Sequence, residues 1–254
     1  MSRTVTIKDV TLGEGAPKIC VPMVGKRLEQ LQDEATHLTT LDLDIVEWRV
    51  DFFEQVENID AVTGALTQIR SILGDIPLLF TFRSAKEGGE REVSTAFYFE
   101  LNRAVAVTGE VELIDVELFN EEQAIKELIS VAHAHKVFVI ISNHDFDKTP
   151  PRDEIVSRLK RAQDLGGDIP KIAVMPTSPS DVLTLLEATC RMKEQYADRP
   201  IITMSMAGTG VISRLAGEVF GSALTFGAAN QASAPGQVPV AELRSMLNLL
   251  HRSL

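Results

Sequence analysis

The sequence predicts a (β/α)₈ TIM barrel folded as a single domain. Three observations lead there. Strand-like apolar runs alternate with helical periodicities along the whole chain, and eight such runs can be marked. Most are continuously apolar, as strands buried on both faces of a parallel sheet must be. The 254 residues also lie close to the ~250 typical of such a barrel. An open doubly wound sheet usually needs fewer strands, and no Gly-x-Gly-x-x-Gly follows an early one.

The elements follow in order. Residues 4–12 alternate apolar and polar before Gly13-Glu14-Gly15, the pattern of a small N-terminal hairpin within residues 1–15 that caps the barrel bottom. Strands are expected over 18–24, 44–51, 77–83, 111–119, 136–143, 169–175, 200–206 and 223–227. Residues 25–40 carry Leu28, Leu31, Ala35 and Leu38 at helical spacing, and 59–73 carry Val62, Leu66, Ile69 and Leu73. Residues 121–135 repeat the pattern with Ile125, Leu128, Ile129 and Ala132. Residues 178–197 do so with Val182, Leu185, Leu186 and Met192, and Ser178 or Ser180 is available as an N-cap. Strand followed by helix, repeated, requires parallel pairing through helical crossovers.

Composition narrows the class. The chain is 44% hydrophobic and 24% charged, ordinary for a globular protein. A net charge of −11 with pI ≈ 5.0 disfavours nucleic acid as a partner, so an anionic ligand would need locally concentrated cations. Cys20 and Cys190 form no metal-binding or disulfide pattern, which suits a reducing, cytoplasmic compartment. No apolar run approaches a membrane span, and Ser2-Arg3-Thr4 does not open a signal peptide.

In this fold, chemistry gathers at the carboxyl ends of the strands. Lys171 lies in the apolar run Ile169-Pro170-Lys171-Ile172-Ala173-Val174. It is either a strand-end lysine snorkelling to water or a buried amine made nucleophilic by desolvation. Glu47, Arg49 and Asp51 share one face of the second strand at period two, as an ion-pair cluster or as the seat of a polar ligand. Arg83 and Glu87 follow the third strand, whereas Lys86 and Glu90 read as a solvated loop. Asp115 and Glu117 read as structural partners for arginines on neighbouring strands. His144 ends the fifth strand, as a general acid and base or as a hydrogen-bonded structural histidine. His37, His133, His135 and His251 are weaker candidates. His133-Ala134-His135 has the look of a metal pair but falls at a helix C-terminus. Ala207-Gly208-Thr209-Gly210 opens a helix carrying Arg214, a turn that offers N–H groups and a guanidinium to an anion. The small-residue loop from Gln231 to Gln237 contributes Ser233 and Gln237, as a lid or as a plain connection.

Four stretches carry a resemblance. Phe80-Thr81-Phe82-Arg83-Ser84-Ala85-Lys86-Glu87-Gly88-Gly89 and Ser142-Asn143-His144-Asp145-Phe146 resemble the type I 3-dehydroquinate dehydratase family. So do Asp168-Ile169-Pro170-Lys171-Ile172-Ala173 and Gly210-Val211-Ile212-Ser213-Arg214-Leu215-Ala216-Gly217, and the likeness runs nearly end to end. It implies a barrel, commonly a homodimer, that dehydrates 3-dehydroquinate to 3-dehydroshikimate in the shikimate pathway through a Schiff base, with no cofactor and no metal. By motif, Lys171 would form the imine, His144 would move the protons, and Glu87 would orient His144. Arg214 would hold the substrate carboxylate, and Glu47, Arg49 and Arg83 would bind hydroxyls and neighbouring charges. Ser233 and Gln237 would close over the substrate, with Met204, Met206 and Phe226 lining the pocket. Pro22, where relatives often carry serine, and Ala207-Gly208-Thr209, which lacks a frequent lysine, depart from the family's pattern.

The chemistry this implies is consistent with general principles. A protonated imine is an electron sink for the adjacent carbanion. Burial and neighbouring cations are expected to favour neutral Lys171, and Glu87 to balance a cationic His144. Two alternatives share the barrel: a Schiff-base aldolase with phosphate at Arg214, and a catalytically silent barrel that senses a metabolite. A metal-dependent hydrolase is disfavoured because no His-x-His ends the first strand.

Overall fold

A computed structural model describes residues 3–229 and 236–254. An antiparallel hairpin, β1 (Val5–Ile7) and β2 (Val10–Leu12), precedes eight parallel strands. These are β3 (Lys18–Met23), β4 (Ile45–Arg49), β5 (Leu78–Thr81), β6 (Leu113–Glu117), β7 (Phe138–Asp145), β8 (Ile169–Val174), β9 (Ile202–Ser205) and β10 (Leu224–Ala228). Neighbours in sequence are neighbours in the sheet from β3 to β9, and β10 pairs back onto β3. The remaining seam, β9 to β10, closes through a parallel bridge between Ile201 and Ser222. Ser222 reinforces it, its Oγ accepting the Thr203 N–H at 3.0 Å. A short strand, β11 (Val238–Pro239), adds to the β10 edge.

Helices surround the barrel: α1 (Leu28–Leu38), α2 (Ile59–Leu73), α3 (Thr95–Ala106), α4 (Glu122–Ala134) and α5 (Arg152–Asp164), followed by α6 (Pro179–Gln195), the short α7 (Val211–Leu215) and α8 (Gly217–Phe220), and α9 (Val240–His251). The four expected helices are α1, α2, α4 and α6, each burying the apolar stripe that marked it except for half-buried Leu28 at the start of α1. Of the two possible caps for α6, Ser178 is used, and Asp181 reaches back to accept its N–H at 3.1 Å. α3 and α5 have no counterpart among those four, and each is buried along one face.

Strand ends differ from the expectation in ways that matter for the site. β4 stops at Arg49, and Val50–Phe52 turn as a 3₁₀ helix, so Asp51 does not continue the strand's inward face. β7 runs on to Asp145, which places His144 within the strand rather than after it. Arg83 lies just beyond the end of β5, and Glu87 closes a 3₁₀ turn over Ala85–Glu87.

The barrel interior is layered. Its lower layer is apolar: Ile45, Leu79, Leu113, Ile140, Ile169, Ile202 and Leu224 meet Val5, Ile7 and Leu12 of the hairpin. The hairpin therefore plugs the amino ends of the strands, as expected. One step up, the inward residues of β4 to β8 turn polar, with Glu47, Thr81, Asp115, Ser142 and Lys171 all buried, whereas β9 and β10 present Met204 and Phe226. Outward faces of the strands pack against α1–α4 and α9 on one side and against α5 and α6 on the other. Because Leu12 is fully buried in the plug, Leu12→Ala is expected to destabilise the fold by ~2–5 kcal/mol. A lower denaturant midpoint at unchanged slope is the measurement that checks it.

Candidate active site

Lys171 settles between its two readings once the barrel closes. It sits mid-strand on β8, is only 5% exposed, and faces the pocket at the barrel mouth. Nζ donates to Asp115 Oδ2 at 3.1 Å and lies 4.6 Å from the centroid of the Phe226 ring. The expectation that cations surround it needs correcting: its nearest charged neighbour is an anion. Asp115 was read only as an arginine partner, and it is that too, accepting from Arg83 Nη2 at 2.7 Å. Ser142 Oγ adds a third donor at 2.6 Å. Burial works to raise the Asp115 carboxyl, but Arg83 and Lys171 outweigh it and hold it below its ordinary value.

Arg83 is the hub of this network. Nη1 donates to Glu117 Oε1 and to Ser142 Oγ, each at 3.0 Å, and stands 3.6 Å from Glu87 Oε2. Burial alone would lower its pKa, but Asp115, Glu117 and Glu87 raise it well above the ordinary value. Arg83 is thus a permanent cation set among carboxylates. Arg49, by contrast, is clamped by Asp51 through two bonds of 2.8 Å, so Asp51 supports the site from behind rather than lining it. Glu47 accepts the Thr81 hydroxyl at 2.8 Å.

His144 and Glu87 form a pair at the rim. Glu87 Oε2 accepts the backbone N–H of His144 at 2.9 Å and lies 3.0 Å from its Nδ1. Asn143 Nδ2 donates to the other oxygen at 3.3 Å. Burial, with Glu117 and Asp115 adding to it, pushes the Glu87 carboxyl up to about 8 against the pull of Arg83 and Asn143. Burial, then Arg83, Lys171 and Arg49, holds the His144 imidazole well below its ordinary value. A cationic His144 balanced by Glu87, as the sequence suggested, is therefore not the resting state near neutrality. The resting imidazole is neutral.

Arg214 is 1% exposed and faces the same pocket, its Nη1 at 3.6 Å from Met204 Sδ. Burial pushes its pKa down to about 10, which leaves it cationic near neutrality. The turn before it begins with Ala207 at φ 55°. A Cβ on Gly210 would strike the Ser205 and Met206 carbonyls. The N–H groups of Gly210 and Val211 bond to Ala207 and Gly208 within the turn, and it is the Arg214 guanidinium that lines the pocket.

These side chains line one pocket, among them Glu47, Arg49, Arg83, Glu87, His144 and Lys171. Met204, Met206, Arg214, Phe226 and Gln237 complete it. Every expected site residue among the described ones is thus brought together. Ser233 lies outside the described residues. The sequence did not single out Gly88 and Phe146, which also line the pocket. Gly88 has φ 84°, and a Cβ there would strike the Phe146 ring; the glycine run was the available signal. Among the described residues no cluster of histidine, cysteine or carboxylate side chains is arranged to hold a metal. His133 bonds Asp168 Oδ2 at 2.7 Å through Nε2.

Known proteins resemble the chain over nearly its whole length. The model of the type I 3-dehydroquinase family matches residues 19–253. The chain is 64% identical to a 3-dehydroquinate dehydratase of Bacillus licheniformis over 254 residues, covering 100% of both chains. It is 65% identical over 248 residues to one of Listeria welshimeri, covering 98% of each. A solved type I 3-dehydroquinate dehydratase of Clostridium difficile, described with covalent modified comenic acid, superposes with a TM-score of 0.98 at 60% identity, covering 100% of both chains. With the family model spanning nearly its whole length and these relatives covering it end to end, the chain belongs to the type I 3-dehydroquinase family.

Proposed function

We propose that this protein dehydrates 3-dehydroquinate to 3-dehydroshikimate through a Schiff base on Lys171, without a metal or other cofactor, as a step of the shikimate pathway. The observation that carries the reading is a buried amine in the same pocket as a neutral imidazole and a buried guanidinium. The substrate carboxylate pairs with Arg214, and its hydroxyls meet Glu47 and Arg49. The Lys171 amine adds to the C3 carbonyl, and loss of that oxygen as water leaves a protonated imine. His144 Nε2 then takes a proton from C2, and the electron pair of that C–H bond flows into the imine to give an enamine. The enamine pushes back, a C1–C2 double bond forms, and the C1 hydroxyl leaves with the proton that His144 returns. Hydrolysis of the imine consumes one water and frees Lys171, so one water is released overall. General acid–base transfer of this kind contributes typically ~10²–10⁴-fold.

Asp115 serves this chemistry by fixing where Nζ stands, since its other oxygen is tied to Arg83 and Ser142. Glu87 keeps the ring of His144 turned with Nδ1 toward itself and Nε2 toward the pocket. The chain works as one catalytic domain, and the family resemblance supports a cytoplasmic homodimer. Its free cysteines fit a reducing compartment.

Borohydride added during turnover of 3-dehydroquinate is expected to leave a reduced adduct on Lys171, located by mass spectrometry. An adduct on another lysine, or turnover retained by Lys171→Met, would overturn the assignment. For the histidine pair, the active form needs Glu87 ionised and His144 neutral. The group with the higher value governs, so kcat/KM is expected to rise with pH along a limb near 8. Glu87→Gln should abolish that limb and lower kcat by roughly 10²-fold. Asp115→Asn is expected to destabilise the fold by ~3–5 kcal/mol, because it leaves two buried cations short of their shared counterion. Chemical denaturation measures the loss.

A further inference from the structure

We infer that Arg158, which lies outside the reaction pocket, is a positioning residue for His144. It acts through Asn143 and Glu87 to select the ring tautomer whose Nε2 is the base. The inference rests on the dehydration reading above. Along β7 the side chains alternate: Ser142 and His144 point into the barrel, and Asn143 points out toward α5, where Arg158 sits. Arg158 Nη1 donates to Asn143 Oδ1 at 2.8 Å. A guanidinium has donors and no acceptor, so it can only face the oxygen of that amide. The plane of the amide then turns Nδ2 to Glu87 Oε1, 3.3 Å away.

Glu87 is left facing donors: Asn143 Nδ2 at one oxygen, and at the other the His144 N–H at 2.9 Å with Arg83 Nη1 at 3.6 Å. Once ionised, above the limb near 8, a carboxylate so surrounded accepts at every contact, and the hydrogen in its 3.0 Å contact with His144 comes from Nδ1. That leaves the lone pair on Nε2. A reversed amide would put its oxygen against Glu87 Oε1, favour a protonated carboxyl, and invert the tautomer. Arg158 is itself fixed, by Glu154 at 2.9 Å, by Asp145 at 3.6 Å, and by stacking 5.3 Å from the Phe119 ring centroid. Asn143 is only 3% exposed, so water has little access to replace the guanidinium at its oxygen.

The test uses Arg158→Met, Arg158→Lys and Asn143→Leu in the full chain. The other charged groups facing the pair are Arg83, Glu117 and Asp115 around Glu87, and Arg83, Lys171 and Arg49 around His144; all are retained. Removing the donor from Glu87 makes its ionised form less favourable, so the acid limb of kcat/KM moves upward. The expected shift is roughly one to two pH units in Arg158→Met and Asn143→Leu. KM stays unchanged and kcat recovers above the new limb. Arg158→Lys, which still offers only donors, keeps the limb in place. Ring ¹⁵N shifts recorded about one pH unit above the parent limb, assigned to His144 by subtracting the His144→Gln spectrum, are expected to show the Nδ1–H tautomer in the parent and a mixture in the first two variants. A merely structural tie between α5 and β7 would lower thermal stability without moving the limb or the tautomer, and that result overturns the inference. If Arg158→Met does not fold, Asn143→Leu decides by the same two readouts. Failure of the parent to dehydrate 3-dehydroquinate would instead refute the dehydration reading, and the ring shifts would still decide the role of Arg158.

Discussion

The Asp115 carboxylate is completely buried and holds two cations at once, Arg83 at 2.7 Å and Lys171 at 3.1 Å. Removing such charges from water is costly unless each finds partners. Arg83 therefore gathers Glu117 and Glu87 as well, and Ser142 supplies the donor that Asp115 still lacks. Because each member is held by the next, the position of Nζ and the orientation of Glu87 follow from one network. The rest of the mouth is built around it.

That network sits on rigid elements. Asp115, Ser142 and Lys171 are mid-strand residues on three adjacent strands, in one layer above the apolar plug formed with the hairpin. Below the layer the interior is packed with aliphatic side chains, and above it the pocket opens. A polar layer over an apolar floor keeps water out of the barrel while leaving the amine accessible to a ligand from the top. The overall charge of −11 is no obstacle to an anionic ligand, since Arg49, Arg83, Lys171 and Arg214 all converge on this one pocket.

Glu87 and His144 illustrate how burial divides roles. Desolvation disfavours the charged form of each group, and so moves the carboxyl up and the imidazole down. Two groups whose ordinary values differ by about two units are thereby reordered. The hydrogen bonds reaching Glu87 from Asn143 and from the His144 backbone, with the nearby Arg83 cation, oppose that drift. The state of the pair is a balance between the dry surroundings and the donors placed around it.

Much of this was legible in the sequence. Runs such as Ile169–Val174 and the stripe Ile125, Leu128, Ile129, Ala132 report their own burial, because period and apolarity are local properties. Period-two spacing placed Glu47 and Arg49 inward, and motif resemblance collected Lys171, His144, Glu87 and Arg214. The sequence could not say that Asp51 leaves its strand to clamp Arg49, or that the turn before Arg214 uses its own N–H groups. Nor could it tell that Asp115, 56 residues from Lys171, is that lysine's counterion. On its own, then, the sequence determined the barrel, the faces its helices bury and most of the residues that line its pocket. Only the tertiary structure decided which charge faces which, because pairing in a closed barrel depends on strand register and curvature that bring distant residues together, and on a desolvation that exists only once the barrel has closed.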